Sequence, residues 1–238
     1  MERLQKVIAN AGYCSRRKAE ELIAAGVVMV NKVVVTELGT KVDPSVDVIE
    51  IGGQKLKLDT NLVYYVLNKP RNCISTLKDD RERPTIIDCI EGIKERVYPV
   101  GRLDFDTTGV LLLTNDGDLT NKLTHPKFMA IKVYVATVKG SVDQERLEKL
   151  TRGVLLDDGP AKAYKVEYMK HNEAQGHSIV KIYLNEGRNR EVKRMLEAIG
   201  YEVVKLNRES FAGISSVGLR QGQYRKLSVE EIEMLKAL

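Results

Sequence analysis

The residue types best suited to chemistry crowd into GRLDFDTTGVLLLTND, positions 101–116. Arg102 precedes two carboxylates, Asp104 and Asp106, and a Thr-Thr-Gly turn leads into the apolar run Val110 to Leu113. If the segment is extended, Asp104 and Asp106 point to one side and Leu103 and Phe105 to the other, because side chains alternate along a strand. Two carboxylates on one side could form an acid and base pair or a metal site, and Arg102 would hold at least one of them as an anion. Asp and Thr beside a glycine are equally the ordinary material of turns, and Asn115-Asp116-Gly117 is a turn signal of that kind. Residue types alone leave these readings open.

Basic residues gather in three other places. EGRNREVKRM sets Arg188, Arg190, Lys193 and Arg194 at the start of an expected helix over 190–199. Lys69 and Arg71 flank Pro70 in NKPRN. Arg16, Arg17 and Lys18 fall in the first turn of another expected helix, where the helix dipole disfavours each positive charge by roughly 0.3–1 kcal/mol. A solvated face would account for that triplet, and so would contact with a nucleic-acid backbone.

The elements that must carry these groups can be read from periodicity. Leu4, Val7, Ile8 and Ala11 recur at helical spacing over 2–10, and Ser15 can cap a second helix over 16–25 with Ala19, Leu22 and Ile23 on its apolar face. Short β-rich pieces follow, VVMVN, VVVT and DVIEIGG, with turns at Asn31-Lys32 and Asp43-Pro44. Residues 1–53 therefore read as one unit, and the polar stretch 54–61 as a linker. Beyond it, strands are expected at VYYVL, KVYVATVKG, AYKVEYMK and HSIVKIYLN, and helices over 144–151, 190–199 and 229–238. Strands and helices mix without a βαβ repeat, so an α+β domain with a mixed, largely antiparallel sheet flanked by helices is expected over 62–238.

Composition limits the function class. The 238 residues are 43% hydrophobic and 30% charged with net charge +5, as in a soluble globular protein with a modest leaning towards anionic partners. No apolar run approaches the roughly 20 residues of a membrane span, and the N-terminus lacks a signal-peptide layout, so a cytoplasmic protein is expected. Cys14, Cys73 and Cys89 are odd in number and lie far apart, which argues against disulfides and a zinc site.

With these residues in view, RLQKVIANAGYCSRRKAEELIAAGVVMVN followed by VVVTELGTKV resembles an S4 RNA-binding domain of αα-β architecture. PVGRLDFDTTGVLLLTNDGDLTNKLTHP resembles the signature of the ribosomal RNA pseudouridine synthases that carry such a domain. YVLNKPRNCIST, IKVYVATVKG and EGRNREVKRMLEAIGYEVVKL resemble three further blocks of that family, in the same order. The resemblance implies a catalytic Asp104 with Arg102 beside it, Tyr134 stacking on the target base, Lys193 paired with Asp104, and Val192 near the base pocket. It makes Arg3, Arg16, Arg17, Lys18, Lys69, Arg71, Arg188, Arg190 and Arg194 candidates for RNA contact. Asp106 becomes a turn residue or a support for the groups around the site, whose replacement should have a mild effect. Two departures from the family pattern stand out: Asn72 where a glycine is usual, in a turn that Asn also tolerates, and Glu191 where many members have Gln. The THP and EGRNR forms favour 23S over 16S ribosomal RNA as substrate. No cofactor, metal or membrane partner is implied, and a monomer suffices.

Overall fold

The computed structural model describes residues 1–58 and 61–238, so Asp59 and Thr60 of the expected linker lie outside the described residues. The chain forms two compact units, residues 1–63 with the short segments 94–96 and 115–117, and the remainder.

In the first unit, helices α1 (Leu4–Asn10) and α2 (Arg16–Ala24) follow the expected periodicity. Leu4, Val7 and Ile8 from α1 and Ala19 and Ile23 from α2 share a buried cluster with Val28, Ile49 and Ile51. Ser15 caps α2 by accepting from the Lys18 backbone N–H at 3.1 Å, satisfying one of the first-turn donors. The strands run in the order Val33–Val34, Val28–Val30, Ile49–Ile51, Gln54–Lys55, all antiparallel. Asn31 and Lys32 both take positive φ, 51° and 70°, as the tight mirror-type hairpin turn requires. The Asn31 amide anchors that turn, accepting from Val48 N at 2.9 Å and donating to Asp47 at 2.8 Å. Order extends past the expected boundary at residue 53: Gln54–Lys55 folds back on Glu50 and Ile51, and Leu56 is buried in the same core. The polar look of GGQKLK comes from a hairpin whose outer face is wet.

The second unit is built on a mixed sheet whose strands lie in the order Lys165–Asn172, His177–Leu184, Lys132–Lys139, Val203–Phe211, Thr108–Thr114, Tyr64–Lys69, Tyr224–Lys226. Every neighbouring pair is antiparallel except Val203–Phe211 with Thr108–Thr114, which is parallel. Val66, Val110, Leu112 and Phe211 pack with Leu119 and Leu123 of α3 (Gly117–Thr124) and with Leu235, from the C-terminal helix Val229–Ala237. Two further helices, α4 (Gln144–Arg152) and α5 (Glu191–Ala198), bury Leu147 and Leu150, and Val192, Met195 and Leu196 respectively. Among the described residues no helix is long and apolar enough to cross a membrane.

The sequence pattern does not reveal the central strand Val203–Phe211. Its alternation is broken by Lys205, Arg208 and Glu209, and Arg208 turns out to be on the buried side at 2% exposure. Helix α3 also goes unforeseen, because Asn115-Asp116-Gly117 is a turn signal that here leads directly into a helix.

Gly109 stands where the two parallel strands first meet, opposite Arg208. Its φ is +104°, and a Cβ there would lie 2.2 Å from the Arg208 carbonyl oxygen and 2.8 Å from its nitrogen. Both obstacles are backbone and neither can swing aside. Gly109→Ala should therefore lower unfolding free energy by about 3 kcal/mol or more, measured by urea denaturation; an unchanged midpoint would mean the strands can separate at no cost.

Candidate active site

Asp104 lies in a turn rather than a strand. Thr107 N donates to the Asp104 carbonyl at 3.1 Å, and the Thr108–Thr114 strand begins only afterwards. Strand alternation is therefore not what brings the two carboxylates together; the turn does. The segment is pinned from one side: Ser75 Oγ accepts from Leu103 N at 3.0 Å and donates to Leu103 O at 2.9 Å. Cys73 N donates to Phe105 O at 3.3 Å. Leu103 is held inward by these bonds and Phe105 is left exposed. The preceding turn of NKPRN is made by Asn72 at φ 58°, the left-handed conformation that Asn accepts more readily than most residues.

Lys193 meets both carboxylates. Its Nζ lies 2.6 Å from Asp106 Oδ1 and 3.3 Å from Asp104 Oδ2. The lysine side chain is only 6% exposed, and a buried ammonium is tolerable only when paired. Burial pulls the Asp106 carboxyl upward, but the Lys193 hydrogen bond and charge outweigh it and hold Asp106 below its ordinary value. Asp106 is thus more than a turn residue, since it makes the shorter contact. Arg102 departs from expectation in the opposite sense. It is exposed at the pocket wall and, among the described residues, forms no ion pair with Asp104, because the inward pinning of Leu103 turns its neighbour outward.

Tyr134 reaches the same pocket from the Lys132–Lys139 strand and is 8% exposed. A bulge sets its direction: Val133 pairs with Ser210 but Tyr134 with Arg208, leaving Glu209 as the extra residue. Bulges of this kind re-aim side chains. Val192, Leu184 and Leu206 supply apolar walls, and the cleft leaves about 50 Å³ of accessible space, well below the ~300–1,000 Å³ usual for small-ligand sites. Behind the pairing with Tyr134 lies Arg208, which sequence reasoning missed. Its Nε donates to Val110 O at 2.7 Å and its guanidinium lies 4.8 Å from the Phe211 ring centroid. Leu206 and Arg208 share one buried face, but an arginine on that face masks the alternation that would have announced it.

The candidate RNA-contact cations separate into two groups. Arg188 donates to Asp158, Glu186, Glu191 and the Pro160 carbonyl, and Arg194 grips both Asp158 oxygens at 2.8 and 2.9 Å. These two arginines fasten the hairpin formed by Val154–Leu156 and Gly159–Ala161 to α5, so their charges are already engaged. Lys69 is fully buried and donates to Pro70 O at 2.9 Å, which makes it a brace inside the fold and takes it off the surface. Burial pushes its ammonium down, with Asp106 and Asp104 among the groups opposing that shift. Lys18 is exposed and paired with Glu21 at 2.8 Å. Arg3, Arg16, Arg17, Arg71 and Arg190 are exposed, and none makes a side-chain ion pair among the described residues. Glu191, the departure from the family pattern, is buried and accepts from Arg188 N at 2.9 Å. Burial raises its carboxyl, and its place in the first turn of α5 suits the helix dipole.

Comparison with known proteins supplies a family for the whole chain. Residues 63–198 match the family model described as RNA pseudouridylate synthase, and residues 2–48 match the S4 domain model. The ribosomal large subunit pseudouridine synthase B of Bacillus subtilis is 50% identical over 238 residues, 100% of this chain and 97% of its own. An uncharacterised RNA pseudouridine synthase of Mycobacterium bovis is 46% identical, covering 98% of this chain and 92% of its own. A crystal structure of a pseudouridylate synthase superposes with a TM-score of 0.69 at 29% identity, covering 99% of this chain and 100% of its own.

Next to the pocket, burial pushes the Lys132 ammonium down to about 8, reinforced by Arg208 and opposed by Glu191 and Glu186. A lysine depressed below its unfolded value of about 10.4 costs stability while it is charged in the fold. That cost is complete below pH 8 and fades as pH rises towards 10.4. Lys132→Met should consequently lose stability relative to the wild type between pH 7 and pH 10, as the wild type's penalty disappears. Denaturation curves of both proteins at the two pH values measure this, and a constant difference would contradict it.

Proposed function

The chain belongs to the RNA pseudouridylate synthase family and carries an S4 domain, and from that premise we propose that it converts one uridine of 23S ribosomal RNA to pseudouridine, with Asp104 as the reacting carboxylate. The observation that carries the catalytic assignment is Asp104 on a pinned turn, beside Tyr134 in one pocket and 3.3 Å from a buried ammonium. The 50% identity to an enzyme named for the large ribosomal subunit supports the choice of 23S RNA.

Isomerisation requires the C1′–N1 bond of uridine to break, the uracil to turn, and C5 to join C1′. An ionised Asp104 can begin this by bonding to C1′ or by taking a ribose proton. Lys193 sets its ammonium 3.3 Å from that carboxylate. The Tyr134 ring offers a flat face to a base drawn out of its stack, and its hydroxyl can receive or relay the C5 proton. Val192 packs against the base, and Arg102 at the pocket wall meets the backbone of the target nucleotide. Residues 1–53 act as the RNA-binding domain and 62–238 as the catalytic domain. Arg3, Arg16, Arg17, Arg71 and Arg190 have the free charge that phosphate contact needs. In this reading the protein works as a monomer, in the cytoplasm where ribosomal RNA is modified.

Asp104→Asn should lower tritium release from RNA labelled at uridine C5 by at least ~10²-fold while RNA binding persists; equal release from mutant and wild type would overturn the assignment. Mapping pseudouridine on unmodified 23S and 16S transcripts tests the substrate, and a product confined to 16S would reverse it. Arg190→Ala should weaken RNA binding and reduce the salt-dependence slope by about 1, whereas Arg194→Ala should lower the melting temperature and leave that slope unchanged.

A further inference from the structure

Lys193 is shared unequally between two carboxylates, while the reaction described above consumes the charge of only one. Its Nζ donates a hydrogen bond to Asp106 Oδ1 at 2.6 Å. The contact to Asp104 at 3.3 Å is an ion pair only, and among the described residues no donor forms a hydrogen bond to the Asp104 carboxylate. We propose that Asp106 is a positioning residue, a standing counter-ion that holds Lys193 beside Asp104 without letting it close on that carboxylate, so that Asp104 is free to react. This rests on the reading of Asp104 as the reacting group.

The argument follows the charge through the reaction. If an Asp104 oxygen bonds to C1′, the C1′–N1 electron pair leaves on uracil and Asp104 becomes a neutral ester. If Asp104 takes a ribose C2′ proton, the C–H pair forms the C1′–C2′ double bond. The N1 pair again leaves on uracil, and Asp104 becomes a neutral acid. In both routes Lys193 faces an uncharged carboxyl group. Its side chain is 6% exposed against 43% for Asp106, so water cannot take over as its partner. Asp106 keeps its charge throughout and spares Lys193 from being left as a lone buried cation.

The ground state benefits as well. With Asp106 absent, the ammonium would close on Asp104, and a tight charge-assisted hydrogen bond would have to break before the carboxylate could attack. The turn makes the sharing possible. The Asp104–Thr107 bond and the Cys73 bond to Phe105 O point two carboxylates, separated by Phe105, at a single ammonium. Arg190, just before α5, adds electrostatic support to Asp106.

The test compares wild type, Asp106→Asn, Asp106→Glu, Lys193→Met and the Asp106→Asn/Lys193→Met double variant. Single-turnover pseudouridine formation is measured on a ribosomal RNA transcript, with equilibrium RNA binding and a thermal melt for each protein. Asp106→Asn should slow the single-turnover step by ~10–100-fold with RNA affinity within about twofold, and Asp106→Glu should recover much of the rate. In the Lys193→Met background Asp106→Asn should cause no further loss, the mark of two residues acting through each other. A wild-type rate for Asp106→Asn, or the same fold-loss with and without Lys193, would overturn the proposal. Should Asp106→Asn fail to fold, Asp106→Glu decides: folded and active supports it, folded and inactive overturns it. Failure of the Asp104 reading would appear separately, as an active Asp104→Asn enzyme.

Discussion

A lysine ammonium buried among protein atoms must be neutralised where it sits, and this requirement organises the catalytic unit. Lys193 can be inside only because a turn 87 residues earlier in the chain delivers carboxylates to it. That turn holds its shape through Ser75 and Cys73, which belong to the loop after the Tyr64–Lys69 strand. Helix α5 holds its position through Arg188 and Arg194, both fastened to Asp158 on the neighbouring hairpin. Two separately anchored pieces thus meet at one charge. The sheet beneath sets their spacing, with Gly109 as the point where no side chain can intervene.

Charge is used in two ways in this protein. Arg188, Arg194, Arg208 and Lys69 are inside or paired, and they join strands, a hairpin and a helix into one body. Arg16, Arg17, Arg71 and Arg190 stand in water, and surface charges of that kind contribute little to stability. Placing Arg16 and Arg17 at a helix N-terminus is locally unfavourable, which makes sense if their partner is outside the chain. The modest net charge of +5 understates this division, because many of the cations it counts are already neutralised.

Local patterns were legible in the sequence where local forces decide the outcome. The spacing of Leu4, Val7 and Ile8 and the cap at Ser15 specify α1 and α2 without outside help. The strand carrying Tyr134 was equally plain from KVYVATVKG. Long-range effects were opaque. Residues 103–106 admitted both an extended and a turn reading, and nothing in FDTT announces the partners Ser75 and Cys73, about 30 residues upstream, that fix the turn. The Val203–Phe211 strand was hidden because its buried face includes an arginine, compensated by the Val110 carbonyl and the Phe211 ring. Arg188 and Arg194 looked like free surface charge because the hairpin bearing Asp158 was itself invisible in VLLDDGPA.

The place of Val203–Phe211 in the sheet has a consequence for how the protein is made. This strand lies between Lys132–Lys139 and Thr108–Thr114, both synthesised long before it. Until it emerges from the ribosome, the sheet stays in two halves, and the turn bearing Asp104 and the strand bearing Tyr134 have no common support. Contacts at such sequence separation form slowly and late. A nascent chain therefore acquires its pocket only after Val203–Phe211 has been made, and a chain that still lacks this strand remains chemically silent.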